Sequence, residues 1–167
     1  VQPIFLTGFM GAGKTTVGQI IAEQLQAEFI DTDEEIEKQE KREIRTIFET
    51  EGEAYFRSVE AAVLRSVTKP ATVLSTGGGI VLKEANRRWM LENGLWVFLE
   101  CSLEEIERRL EDDLKRPLLK GNARERIQTL YKERLALYRQ ASWIVQADQG
   151  SPKEIASSVI DRIQNAV

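Results

Sequence analysis

The sequence predicts an α/β fold built on a parallel sheet, and three observations carry that expectation. Five short apolar or β-branched runs alternate with longer stretches of helical periodicity. The first run stops at a glycine-rich loop that opens a helix. The 167 residues are enough for one domain with a substantial core.

Ile4-Phe5-Leu6-Thr7 is too short for a helix and reads as a buried strand ending at Gly8. From Thr16 to Leu25, Val17, Ile20, Ile21 and Leu25 form one helical stripe suited to covering a sheet. Glu28-Phe29-Ile30 is the second strand. Glu34 to Glu43 is strongly charged, and its i,i+4 pairs Glu34/Lys38 and Glu37/Lys41 predict a solvated helix. Helices over Ala54–Val67 and Ala85–Leu91 flank a third strand, Thr72-Val73-Leu74-Ser75, and Leu95–Leu99 is the fourth. Ser102-Leu103-Glu104-Glu105 is a capping box for a helix to about Leu110. Trp143-Ile144-Val145 is the fifth strand. Ser151-Pro152-Lys153-Glu154 repeats the cap for the last helix, with proline at its first position. Residues 111–122, polar around Pro117 and Gly121 and set between two helices, have the make-up of a mobile lid. There is no internal repeat or low-complexity linker.

Composition removes several chemistries. With no histidine and only Cys101, the chain has no Ser-His-Asp triad, imidazole base, disulfide or multi-cysteine zinc site, so a proton acceptor is expected to be a carboxylate. A net charge of −4 argues against a sequence-independent grip on nucleic acid. Hydrophobic residues at 42% and charged residues at 30%, with no apolar run of spanning length, argue against membrane partners. Val1-Gln2-Pro3 begins without a basic leader, and the expected location is cytoplasmic.

The strongest motif is Gly8-Phe9-Met10-Gly11-Ala12-Gly13-Lys14-Thr15, a full G-x-x-x-x-G-K-[ST] between a strand and a helix. Its glycines let the backbone turn amides toward phosphate oxygens, and the helix adds its positive end. Gly11, Ala12, Gly13, Lys14, Thr15 and Thr16 are therefore candidates for a nucleoside triphosphate, with Lys14 on the β- and γ-phosphates and Thr15 as a magnesium ligand. A dinucleotide fingerprint needs glycine where Thr16 stands.

Asp31-Thr32-Asp33 would bring two carboxylates to one side in an extended conformation, and by itself fits a helix cap equally well. Ser75-Thr76-Gly77-Gly78-Gly79 ends the third strand with residues that permit close backbone approach to a ligand. No carboxylate ends that strand, so Asp31, through a coordinated water, is the expected second partner of Mg²⁺. Arg57 and Glu60 at i,i+3 could be a surface salt bridge, and Arg134 among charged neighbours a solvated face. Trp89, Trp96, Trp143 and Cys101 read as packing residues.

Over nearly its whole length the chain resembles the shikimate kinases. The matching residues are Gly8 to Thr16, Asp31-Thr32-Asp33, Gly52-Glu53 with Phe56-Arg57 and Glu60, Gly77-Gly78-Gly79, Arg116-Pro117-Leu118-Leu119, and Arg134 ahead of Leu137-Tyr138. The resemblance implies a three-layer P-loop kinase fold, a five-stranded parallel sheet flanked by helices with a short mobile lid. It implies a single domain over 1–167 with a substrate-binding region at 33–60 and the lid at 111–122. ATP, with Mg²⁺, would phosphorylate the shikimate 3-hydroxyl, on the route to chorismate and the aromatic amino acids. Asp33 would hold ring hydroxyls and be the catalytic carboxylate. Arg57 and Arg134 would hold the carboxylate, with the triplet Gly77, Gly78 and Gly79 beside them and Gly78 supplying an amide. Ile44, Phe48 and Phe56 would form an apolar wall. Arg116 would be the lid arginine acting with Lys14 on the phosphates, Arg109 would lie against adenine, and Gln149 would belong to the adenine loop. A monomer is expected. Without the resemblance, another small-metabolite kinase, such as one acting on gluconate, or a nucleotide-dependent switch stays open.

Overall fold

The computed structural model describes residues 1–111 and 122–165. Strands β1 (Ile4–Thr7), β2 (Glu28–Asp31), β3 (Thr72–Ser75), β4 (Leu95–Glu100) and β5 (Trp143–Gln146) form one parallel sheet in the order β2-β3-β1-β4-β5. The helices are α1 (Lys14–Leu25), α2 (Thr32–Glu40), α3 (Ile44–Glu51), α4 (Glu53–Val67), α5 (Glu84–Asn93), α6 (Leu103–Glu111), α7 (Ala123–Tyr138) and α8 (Pro152–Asn165), with a 3₁₀ turn at Ile80–Leu82. Among the described residues no helix is long and apolar enough to cross a membrane. Arg116, with its Arg116-Pro117-Leu118-Leu119 segment, and the expected lid between its end residues Glu111 and Asn122 lie outside the described residues.

Successive side chains of a strand point to opposite faces, and here both faces are covered. Phe5, Leu74, Trp96 and Phe98 pack with Leu64 of α4, Met90 of α5 and Tyr138 of α7. Ile4, Leu6, Val73, Val97 and Leu99 pack with Val17 and Ile21 of α1 and Ile155 and Val159 of α8. That division makes the three layers. Trp96 is fully buried, and its indole N–H donates to Thr7 Oγ1 at 2.8 Å, which satisfies a polar atom that burial would otherwise penalise.

The sheet also sets where a ligand can sit. From β1 the chain leaves through α1 on one face, and from β3 through α5 on the other, so a crevice opens between the carboxyl ends of those adjacent strands. The register Leu6↔Ser75 and Asp31↔Ser75 levels the ends of β1, β3 and β2, bringing the glycine-rich loop, the glycine triplet and Asp31 to one edge.

The structure corrects the reading between Asp31 and Glu51. Asp33 is not in an extended strand end; α2 starts at Thr32 and Asp33 lies in its first turn. The cause is Asp31, whose Oδ1 accepts the N–H groups of Asp33 at 2.9 Å and Glu34 at 3.3 Å. The charged helix stops at Glu40 rather than Glu43, because Lys41 turns left-handed with φ 56°. Glu37 reaches forward instead of pairing with Lys41: its Oε2 accepts the Ile44 N–H at 3.0 Å and helps start α3, a helix missing from the expectation. Ile47 of α3 then joins Ile36, Phe56 and Val63 in a third, smaller core.

Of the two predicted caps, the one at Ser151 forms in both directions, with Glu154 N–H to Ser151 Oγ and Ser151 N–H to Glu154 Oε1, each 3.2 Å. At Ser102 only half forms. Ser102 Oγ accepts from Glu105 N–H at 3.2 Å, whereas the Glu105 carboxylate is taken by Arg108 and Arg109.

Candidate active site

The loop between β1 and α1 is shaped by Gly11 and Gly13, whose φ values of 83° and 86° lie in the left-handed region that side chains resist. Gly13 precedes α1 without any side-chain cap, which leaves the first-turn amides for an anion. Lys14 Nζ donates to the carbonyls of Gly8 at 2.6 Å and Phe9 at 3.4 Å, so the ammonium curls over its own loop. Ala12 is buried beneath that loop.

Beside it opens a cavity of about 570 Å³, a size suited to a small-molecule ligand. Its wall contains Gly11, Gly13, Lys14, Thr15 and Thr16 from the loop and Asp31 and Asp33 from the end of β2 and start of α2. Ile44, Phe48 and Phe56 form an apolar side, the two phenyl rings 4.7 Å apart between centroids. Arg57 and Glu60 of α4, Gly77, Gly78 and Gly79, and Arg134 of α7 complete it. Residues from widely separated segments thus meet at one place.

Among the described residues, three predicted ones stay outside that wall: Ala12, Arg109 and Gln149. Arg109 donates to Gly11 O at 3.0 Å, Ala147 O at 2.8 Å and Glu105 Oε1 at 3.0 Å, clipping the glycine-rich loop to the turn after β5. Gln149 is exposed on that turn.

The charges inside the cavity are not ordinary surface charges. Arg57 Nη1 donates to Glu60 Oε1 at 3.0 Å, and the two side chains are 15% and 1% exposed, so the surface salt-bridge reading is replaced by a buried pair. Burial raises the Glu60 carboxyl, opposed by Arg57. Burial, with Asp31 adding to it, also raises Asp33, opposed by Lys14. Arg134 Nε is buried without a hydrogen-bond partner among the described residues.

The glycine triplet proves to serve the side chains around it. A Cβ on Gly77 would come within 2.7 Å of Asp33 Oδ1 and 3.2 Å of Glu60 Oε2, and one on Gly79 would overlap the Arg57 guanidinium. Gly79 has φ −93° and ψ 6°, which alanine adopts readily, so space and not torsion requires glycine here. Gly79→Ala is therefore expected to displace Arg57 and, by leaving the buried Glu60 carboxylate without its partner, to lower Tm as well. The KM of the carboxylate-bearing acceptor should rise by about 10- to 100-fold and that of ATP stay constant, since a charged hydrogen bond contributes about 1.5–3 kcal/mol. Steady-state kinetics with each substrate varied in turn checks it; an unchanged acceptor KM would separate Arg57 from binding.

Met10, Ser75 and Thr76 also line the cavity, and the sequence does not point to them as ligand residues. Ser75 and Thr76 look like ordinary strand-end residues, and no local pattern marks them. Tyr138 does carry a signal, lying four residues after Arg134 on one helix face.

Comparison with known proteins agrees with this geometry. A sequence model described as shikimate kinase matches residues 10–164. The chain is 41% identical over 165 residues to the shikimate kinase of Persephonella marina, covering 98% of this chain and all of that one, and 39% identical over 163 residues to that of Bacillus cereus strain AH187, covering 98% and 99%. It superposes on the shikimate kinase of Acinetobacter baumannii in complex with shikimate with a TM-score of 0.91 at 39% identity, covering 99% of this chain and 94% of that one. With the glycine-rich loop, Asp31, Asp33, Arg57, the glycine triplet and Arg134 meeting at one cavity and the likeness covering nearly the whole length, this chain belongs to the shikimate kinase family.

Proposed function

We propose that the protein transfers the γ-phosphoryl group of ATP to the 3-hydroxyl of shikimate, using the residues of the cavity. The observation that carries this reading is the meeting of Arg57 and Arg134 with Asp33 in one cavity that also holds Lys14. A small polyhydroxylated acid needs guanidinium groups for its carboxylate and a carboxylate acceptor for its hydroxyls. Arg57 and Arg134 on the cavity wall support the first need, and Asp33 supports the second. Phe48 and Phe56 offer an apolar surface to the ring.

Phosphoryl transfer depends mainly on alignment and charge neutralisation. The α1 amides and Lys14 would receive the phosphates, while Asp33, raised by burial and so made a better proton acceptor, would orient the hydroxyl and take its proton. Thr15 and Asp31, a hydroxyl and a carboxylate on the same wall, fit Mg²⁺, a hard cation that retains waters and needs few protein ligands. When bound, it neutralises charge on the β- and γ-phosphates. Arg116, Arg109 and Gln149 are assigned to ATP on the family resemblance alone. The same resemblance supports a monomeric, cytoplasmic enzyme of one domain, with 33–60 as its substrate-binding region.

Coupled ADP release with shikimate, gluconate and nucleoside monophosphates tests the reading. Turnover with shikimate alone is expected. Turnover with gluconate instead, or with no acceptor at all, would overturn it.

A further inference from the structure

Tyr138 closes α7, four residues after Arg134, and is 1% exposed. Its ring stacks on Phe98 of β4 with centroids 4.9 Å apart and planes 13° apart, so the hydroxyl is aimed rather than free to rotate away. That hydroxyl donates to the Gly78 carbonyl. A Cβ on Gly78 would lie 3.4 Å from Arg134 Nη1 and 3.7 Å from the Tyr138 hydroxyl, which sets both groups beside Gly78, a residue of the cavity wall.

The peptide joining Gly78 to Gly79 is planar, so holding the Gly78 carbonyl toward α7 turns the Gly79 N–H the opposite way. Among the described residues neither the Gly78 nor the Gly79 N–H donates to a protein acceptor, and both residues line the cavity. Core packing alone needs only the ring, and phenylalanine would supply it. The hydroxyl's hydrogen-bond partner, Gly78, lines the cavity, and the Arg134 guanidinium lies beside the same glycine.

We propose that Tyr138 is a positioning residue for the acceptor: its hydroxyl holds the Gly78 carbonyl, so that the Gly79 N–H meets the acceptor in one fixed arrangement beside Arg134. Burial pushes the phenol up to about 12, so it stays a neutral donor at any working pH. The proposal rests on the shikimate reading above.

The test is Tyr138→Phe, which keeps the ring on Phe98. The KM for shikimate should rise about three- to tenfold, the effect of one lost hydrogen bond, while kcat and the KM for ATP stay within about twofold. In a double-mutant cycle with Arg134→Lys, the two penalties on the shikimate KM should combine to less than their product, because both side chains act on the acceptor at the same point of the wall, Gly78. An unchanged shikimate KM, independent penalties, an equal change in both KM values or loss of folding would each overturn the proposal and leave Tyr138 a packing residue. If the wild-type chain does not turn over shikimate at all, the acceptor reading itself fails, and the proposal with it.

Discussion

Replacing Asp33 by asparagine is expected to lower kcat by about 10²–10⁴-fold, the usual contribution of a positioned acid or base, while raising thermal stability. The two effects share one cause. Burial and the nearby Asp31 hold the Asp33 carboxyl above its ordinary value of 3.8, despite Lys14 and Arg57. The folded chain therefore binds more protons than the unfolded chain between 3.8 and the raised value, and stability falls as pH rises through that window. Above that window the destabilisation is complete, and an uncharged amide removes it. Each kcal/mol recovered would appear as roughly 2–4 °C in Tm for a chain of this size. Wild-type kcat should show an acid limb above the range of a free aspartate, lost as pH falls through the raised value, and the variant should lack it. Calorimetry beside a pH–rate profile reads both. A variant of near wild-type kcat would remove Asp33 from the chemistry, and a lower Tm would contradict the electrostatic account.

Lys14→Met is expected to cost about 10²–10³-fold in kcat, because a preorganised cation beside the developing charge is among the largest single contributions to such a reaction. The ammonium is held against the Gly8 and Phe9 carbonyls, already at the mouth of the loop, so it need travel little to reach a phosphate. Arginine should not rescue activity, since a planar guanidinium cannot take the place of a compact ammonium bonded 2.6 Å from Gly8 O. Single-turnover ADP formation at saturating ATP makes the measurement; a rate within tenfold of wild type would show that the α1 amides suffice for charge neutralisation.

Features that depend on neighbours in the chain are legible in the amino-acid sequence. The glycine-rich loop, the five strands and the Ser151 cap follow from residues within a few positions of one another, where spacing and side-chain chemistry act directly. The family resemblance adds Asp33, Arg57 and Arg134 as residues of one ligand site. Features that depend on competition between local partners are not legible in that way. Glu37 has Lys41 at the right helical spacing, yet the Ile44 N–H is the better partner once Lys41 turns left-handed and ends the helix. Asp31 fits a cap and a ligand equally well by spacing; its Oδ1 caps α2 while the residue also lines the cavity.

Chain order alone settled the chemical vocabulary of this protein: a phosphate-gripping loop ahead of a helix, carboxylates and arginines with no imidazole, and strands patterned for burial on both faces. Folding settled what those groups do to each other. Arg57 and Glu60 are a buried pair and not a surface one, and Gly77 and Gly79 are bare because Asp33, Glu60 and Arg57 occupy the space where their side chains would be. The physical reason is distance: burial and steric exclusion arise only when segments far apart in the chain are packed against one another, so no local pattern can encode them.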